Sequence, residues 1–271
     1  MPTQRTARVG LQVWLDAPEI CERIQIGTLY PNMQQTGLAP PFAYTEDWLG
    51  NKNCFMLDPR LDLYVGDQHP ASERGFGVFL DSAPDRWGSK LIQRREVLKA
   101  KAVQRSPKLL SGLELMLGVH DFTRSGALRF CYPGGNFLDD DTTYAVPPVT
   151  SLKTLSAIAL ELDDDNAEDK PEYEHWLSIL VAPGSSLGGT RPKAVFAERD
   201  HSLWLAKFPG RNDTHDWGLW EYLTHQLARK AGIDVPESEL LSFGKGDHTF
   251  CVKRFDRNPA ARRYPPSLLR Y

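Results

Sequence analysis

The segment Gly184-Ser185-Ser186-Leu187-Gly188-Gly189-Thr190-Arg191-Pro192-Lys193-Ala194 constrains the fold more than any other in this chain. Its glycines let the backbone take positive φ and approach a ligand closely, so that several N–H groups can point at a phosphate. The apolar run Trp176–Ala182 precedes it and reads as a strand. Pro192 and the residues after it leave no room for a helix. Ala194-Val195-Phe196 and Leu203–Phe208 read instead as two strands joined through Asp200-His201 in a hairpin-like connection. Neither the Walker A spacing nor G-x-G-x-x-G is present. By itself such a turn is a weak signal and reads first as an ordinary tight turn.

Gly184-Ser185-Ser186-Leu187-Gly188 also satisfies the G-x-S-x-G pattern of serine hydrolases. That motif needs a strand, a sharp turn and then a helix. The strand reading fits, but no helix follows. The acid and base of the Asp247-His248 pair are adjacent, and adjacent side chains on an extended segment point apart. The hydrolase reading is therefore set aside.

Downstream context raises the glycine segment above a simple turn. Lys207 faces inward from the strand Leu205-Ala206-Lys207-Phe208-Pro209. Fourteen residues later, Glu221 falls in the first turn of a helix predicted over Trp217–Ala231. Leu219, Leu223 and Leu227 form its apolar stripe with Trp220, and Gly232 ends it. A strand lysine paired to a helix glutamate behind a glycine-rich loop is the phosphate-gripping half of a kinase. The lysine compensates phosphate charge, and the glutamate preorganises the ammonium. A further strand is predicted over Phe250–Phe255.

The first half supplies different patterns. Val9, Leu11, Val13 and Leu15 alternate as one face of a half-buried strand, and Ile20–Leu29 reads as a second. Residues 31–70 look like an ordered, loop-rich wrap whose Phe42, Tyr44, Trp48, Phe55 and Leu57 must be buried. A helix opens at Asp81–Trp87, capped by Asp81 or Ser82 with Pro84 in the first turn. Trp87, Leu91, Leu98 and Ala102 follow helical spacing, while Arg94, Arg95, Lys99, Lys101 and Arg105 read as a solvated face, with an acidic or nucleic-acid partner as the alternative. Gly126–Phe130 begins another strand, and Leu152–Leu162 is a short amphipathic helix. The triplets Asp139-Asp140-Asp141 and Asp163-Asp164-Asp165 read as solvated loops, because no calcium-loop spacing surrounds them. The best domain boundary lies at residues 133–150.

Composition bounds the function classes. The 271 residues suit one large domain or two modest ones. With 32 Lys and Arg against 35 Asp and Glu, the net charge of −3 argues against coating nucleic acid by bulk charge. Cys21, Cys54, Cys131 and Cys251 form no C-x-x-C pair and read as reduced core thiols. No window is apolar enough for a membrane span, and no apolar stretch follows the N-terminal cation, so no membrane partner is expected and the expected location is cytoplasmic.

Taken in order, these segments resemble the HipA family of type II toxin–antitoxin kinases. The resemblance rests on Gly184–Ala194, Trp204–Pro209, Glu221-Tyr222-Leu223, Ala231–Ser238 and Val252–Arg257, with Asp81–Gly88 and Gly126–Phe130 in the first half. It implies an α+β fold: a β-rich N-terminal subdomain over 1–140, then the small ATP-binding lobe of a protein-kinase-like fold over 141–257, with the large lobe mostly absent. By position, Lys207 matches the ATP-binding lysine and Glu221 its helix partner. Gly188, Gly189 and Lys193 fall in the phosphate loop, and Lys253 and Phe255 match the hinge that holds adenine. Ser186 falls where family members carry an autophosphorylated serine. The implied cofactors are ATP and Mg2+. The implied partners are a helix-turn-helix antitoxin of HipB type, DNA through that antitoxin, and a protein substrate phosphorylated on Ser or Thr, in the family often an aminoacyl-tRNA synthetase.

A kinase also needs a catalytic Asp, an Asn and a metal-binding Asp. No H-x-D-x-x-x-x-N occurs, and Ser242-Phe243-Gly244 offers no carboxylate. No catalytic residue is therefore assigned, and the Mg2+ ligands are missing. Residues 258–271 read as an aberrant tail. The expectation is a truncated HipA-like kinase, inactive alone. The alternatives are a non-catalytic module binding the antitoxin–DNA complex, or one chain of a split kinase.

Overall fold

The computed structural model describes residues 9–31, 39–71, 75–139, 146–184, 189–244 and 246–257. Among them, two four-stranded antiparallel sheets organise the chain. β1 (Leu11–Leu15) buries Leu11, Val13 and Leu15, so the predicted alternation is realised. Val9 lies outside the strand and is exposed. β2 (Ile24–Leu29) starts later than expected, because Ile20 and Cys21 form a turn on the Ala17 carbonyl. β3 (Phe42–Tyr44) and β4 (Leu128–Cys131) complete the order β3-β2-β1-β4. α1 (Glu46–Leu49), capped by Thr45, carries Trp48 into the core beneath this sheet, and α2 (Gly77–Leu80) adds Phe79. Phe42, Tyr44, Trp48 and Leu57 of the 31–70 wrap are thus buried as expected, with Phe55 half-buried edge-on to Trp48 and Tyr64 exposed.

α3 (Arg86–Ala102) is capped by Asp85, which accepts from the Gly88 N–H at 3.1 Å. The expected cap at Asp81 or Ser82 is displaced, because those residues close the turn after α2 with bonds to the Gly77 and Phe79 carbonyls. Of its expected apolar face, Trp87 and Leu91 are buried, Leu98 is half-buried and Ala102 is exposed. The cationic face is not uniformly solvated. Lys99, Lys101 and Arg105 are exposed, but Arg94 is buried and donates to the Leu162 and Asp164 carbonyls. Carbonyls at a helix C-terminus lack intrahelical donors, and a guanidinium satisfies them. Arg95 bonds Asp139 and the Gly118 carbonyl, both at 2.8 Å. α4 (Gly112–Leu117) follows, closed by a Ser111/Glu114 capping box.

α5 (Leu152–Leu162) forms as predicted. The strand expected at Trp176–Ala182 is instead part of α6 (Tyr173–Gly184). Tyr173, Leu177, Leu180, Val181 and Gly184 are buried at helical spacing, and Pro183 sits in the last turn. A short apolar run does not separate a buried strand from a buried helix. The acidic segment at 163–165 is also not simply solvated: Asp163 accepts from the Arg211 N–H at 2.9 Å, and Asp164 pairs with Lys170 and Arg211.

β5 (Lys193–Ala197) and β6 (Leu203–Lys207) pair as the predicted hairpin, its turn held by Asp200 on Ser202. α7 (Trp217–Lys230) follows, then β7 (Ser238–Leu241) and β8 (Thr249–Lys253), giving the order β5-β6-β8-β7. Trp204 and Ala206 on one face of β6 join α5 and α6 in a core that also takes Trp87 and Leu91 from α3. That core therefore crosses the segment between the two sheets. The apolar stripe of α7 faces outward: Leu219, Trp220, Leu223 and Leu227 are exposed, and of the helix only Gly218 is buried. The helix docks on its glycine side, where Gly218 abuts the His248 carbonyl, and this turns the stripe outward.

The four cysteines are free thiols. No helix among the described residues is long and apolar enough to cross a membrane.

Candidate functional site

The cleft-facing side of the second sheet is set by strand period. Leu205 and Lys207 on β6, and Phe250 and Val252 on β8, line a cleft of about 940 Å³ that α7 flanks. Register fixes its ends. Lys207 lies opposite Lys193 and Phe250, on the side where Thr190 and Arg191 leave the glycine turn. Lys253 lies opposite Trp204, toward Phe255 and Ser125.

Lys207 and Glu221 meet in this cleft as an ion pair, with the ammonium 5.6 Å from the Phe250 ring centroid. Both side chains stay partly exposed, at 24% and 36%. The start of α7 is locked to the start of β8 by Asp216. Its carboxylate caps the helix through the Leu219 N–H at 3.0 Å and accepts from the His248 N–H at 3.1 Å. Burial pushes the Asp216 carboxyl up, but the His248 and Leu219 hydrogen bonds outweigh it and hold the group below its ordinary value. One turn on, Glu221 is thereby aimed at Lys207.

The other predicted site residues fall into three groups. Lys253 and Phe255 line the same cleft; Lys253 donates to Glu237 at 2.9 Å and Phe255 is largely exposed. Lys193 does not line it. It is almost wholly buried, donating to Asp85 at 2.7 Å and to the Gly189 carbonyl at 2.8 Å. Burial depresses its pKa below the lysine range, against the pull of Asp85. Gly189 has φ +116°, a conformation glycine adopts without strain. Gly188 and Ser186 lie outside the described residues. The first half of the chain thus supports the turn through Asp85, and through Trp87, whose Nε1 donates to the Lys193 carbonyl at 3.2 Å.

Three features of the site were not anticipated. Arg191 pairs with Asp213 at the Lys207 end of the cleft. Arg254, Asp256 and Arg257 form a buried cluster against residues 122–126, beneath the Phe255 end. His225, one turn after Glu221, bonds Ser238 through Nδ1 at 3.0 Å. Only the Asp216 cap was legible locally, as an acid just before a helical stripe. No group of three or more His, Cys, Asp or Glu able to hold a metal ion occurs among the described residues.

Residues 185–268 match the family model of the HipA-like C-terminal domain. That segment, less than a third of the 271 residues, is similar to the HipA-like C-terminal domain. Among solved structures, the HipA toxin of Shewanella oneidensis MR-1, determined with HipB and its operator DNA, matches 92% of this chain at a TM-score of 0.51 and 20% identity. That likeness is one of fold. The match takes in 51% of the Shewanella chain, so this chain spans about half the length of the structure it resembles. No curated protein matches it.

Proposed function

We propose that this chain is a HipA-like protein that holds ATP in the cleft between α7 and the β6–β8 face, as the small lobe of a protein-kinase-like fold. The observation that carries the reading is the Lys207–Glu221 pair, set on separate elements and brought together inside that cleft. The residues fit a nucleotide. Leu205, Phe250 and Val252 offer apolar surface for a base, and Lys207 offers a charged donor for phosphate. The volume falls in the range of small-molecule sites, about 300–1,000 Å³. Glu221 keeps the ammonium aligned, so little ordering remains when phosphate arrives. Mg2+ arriving with the nucleotide supplies charge neutralisation at the phosphates.

The acid–base and metal-binding carboxylates of phosphate transfer are not among the motifs of these 271 residues, so the role proposed for them is holding the nucleotide. In the larger assembly that role serves phosphorylation of a protein Ser or Thr. A HipB-type antitoxin is the proposed partner, with DNA reached through it, because the Shewanella relative was solved with both.

Calorimetric titration of the full chain with MgATP tests the reading. Lys207→Met removes a charge-assisted contact of about 1.5–3 kcal/mol and should weaken binding at least tenfold without changing the circular dichroism. Equal affinity of the two proteins would reject the site.

A further inference from the structure

Two cations line the phosphate end of the cleft, Lys207 and Arg191, and each faces a carboxylate that also lines it. Arg191 leaves the glycine turn two residues after Gly189 and two before Lys193, which pairs in register with Lys207. Its guanidinium is largely shielded, at 25% exposure, and Asp213 is its only hydrogen-bond partner among the described residues. A guanidinium carries five donors in a planar fork that suits phosphate. Asp213 does not depend on Arg191 for its own place. Its carboxylate closes the loop after β6 by accepting the Gly210 N–H at 2.7 Å. The end of the cleft is therefore charge-balanced: Arg191 and Lys207 against Asp213 and Glu221.

Resting on the nucleotide reading, we propose that Arg191 is a second phosphate-binding cation of this cleft, held in readiness by Asp213 until a polyphosphate takes the carboxylate's place. Asp213 stays anchored to Gly210, so the exchange requires the arginine alone to re-aim. Asp213 is then a competitor of the ligand. Glu221 differs from it in role, because it orients Lys207 along the sheet face.

The two roles of an Arg–Asp pair separate by sign. A pair that only braces the glycine turn loses its brace in either single variant, so Arg191→Met and Asp213→Asn both weaken binding. A phosphate-binding arginine restrained by a competing carboxylate gives opposite signs. The full chain is titrated calorimetrically with ATP and with adenosine at one fixed salt concentration. Arg191→Met should lower ATP affinity about tenfold and leave adenosine within twofold. Asp213→Asn should raise ATP affinity several-fold, and the double variant should return to the Arg191→Met level. Should Arg191→Met fold poorly by thermal melt, Arg191→Lys, which keeps charge but loses the fork, and Asp213→Asn carry the test.

Weaker ATP binding in Asp213→Asn, or an unchanged ratio of ATP to adenosine affinity in Arg191→Met, overturns the inference. If Lys207→Met still weakens ATP in that case, the nucleotide site itself stands. A wild-type chain that binds neither ATP nor adenosine overturns both.

Discussion

Asp256→Asn is the sharpest test of how the two halves of the chain are joined. One oxygen of Asp256 accepts from Arg254 at 2.6 Å, Arg257 at 2.8 Å and the Gly126 N–H at 3.0 Å, and the other accepts from Arg254 Nε at 2.9 Å. The side chains of Arg254, Asp256 and Arg257 are 2%, 6% and 1% exposed. Burial pushes the Asp256 carboxyl up, but the two guanidinium groups overcome it and hold it well below the usual carboxylate range. Asparagine keeps the shape, deletes the charge and turns an amide donor toward guanidinium donors. Breaking a buried ion pair costs about 3–5 kcal/mol. The arginines keep carbonyl acceptors on Thr123, Arg124 and Gly126, which places the loss near the lower end, about 3 kcal/mol. Against a typical total of about 5–15 kcal/mol that is a large share. Urea unfolding followed by tryptophan fluorescence reads it. A loss below about 1 kcal/mol at pH 7 would refute the account. The acid dependence gives a second check. Because the folded value is depressed, the carboxylate's contribution is complete above its unfolded value of about 4 and is lost as pH falls through the folded value. The gap between wild type and variant should therefore narrow between pH 4 and pH 2; a gap constant over that window contradicts the electrostatic origin.

Two further outcomes follow from close packing. A Cβ at Gly218 would sit 2.0 Å from the His248 carbonyl oxygen, so Gly218→Ala must displace the start of α7 and with it Glu221. Nucleotide affinity should fall at least tenfold even though alanine favours an exposed helix by about 1 kcal/mol; unchanged affinity would show that the helix is not seated there. Cys251 is fully buried and burial pushes its thiol up to about 12. Iodoacetamide at pH 8 should label the half-buried Cys21 and Cys54 in the native chain and Cys251 only after unfolding, read by mass spectrometry; native labelling of Cys251 would place β8 at the surface.

Legibility in the sequence followed the range of the interaction. The alternation in β1, the β5–β6 hairpin and the Lys207–Glu221 pair all follow from local period plus one spacing. α6 was misread because the run Trp176–Ala182 leaves out Glu174 and His175 before it, which with Ser178 form the exposed polar face that reveals the helical period. The cap of α3 shifted by three or four residues because α2 occupies the residues that would otherwise have served. The α7 stripe was legible as helix but does not mark the face that docks, since that face is marked by Gly218, which carries no hydrophobic signal. Arg191–Asp213 and the Arg254–Asp256–Arg257 cluster need partners 22 and 130 residues away, beyond any periodic reading.

Lys193 and Lys207 show why the first half belongs to the site. They stand directly opposite each other in the β5–β6 ladder, an arrangement that places two like charges on one face and is destabilising unless each is answered. Glu221 answers Lys207 from α7, and Asp85 answers Lys193 from the cap of α3. Lys193 in turn donates to the Gly189 carbonyl, so the acid at residue 85 is linked to Gly189 through a buried lysine. Gly189, the two lysines and Asp85 of the first half therefore form one electrostatic unit, in which Lys193 is held by Asp85 while Lys207 lines the cleft.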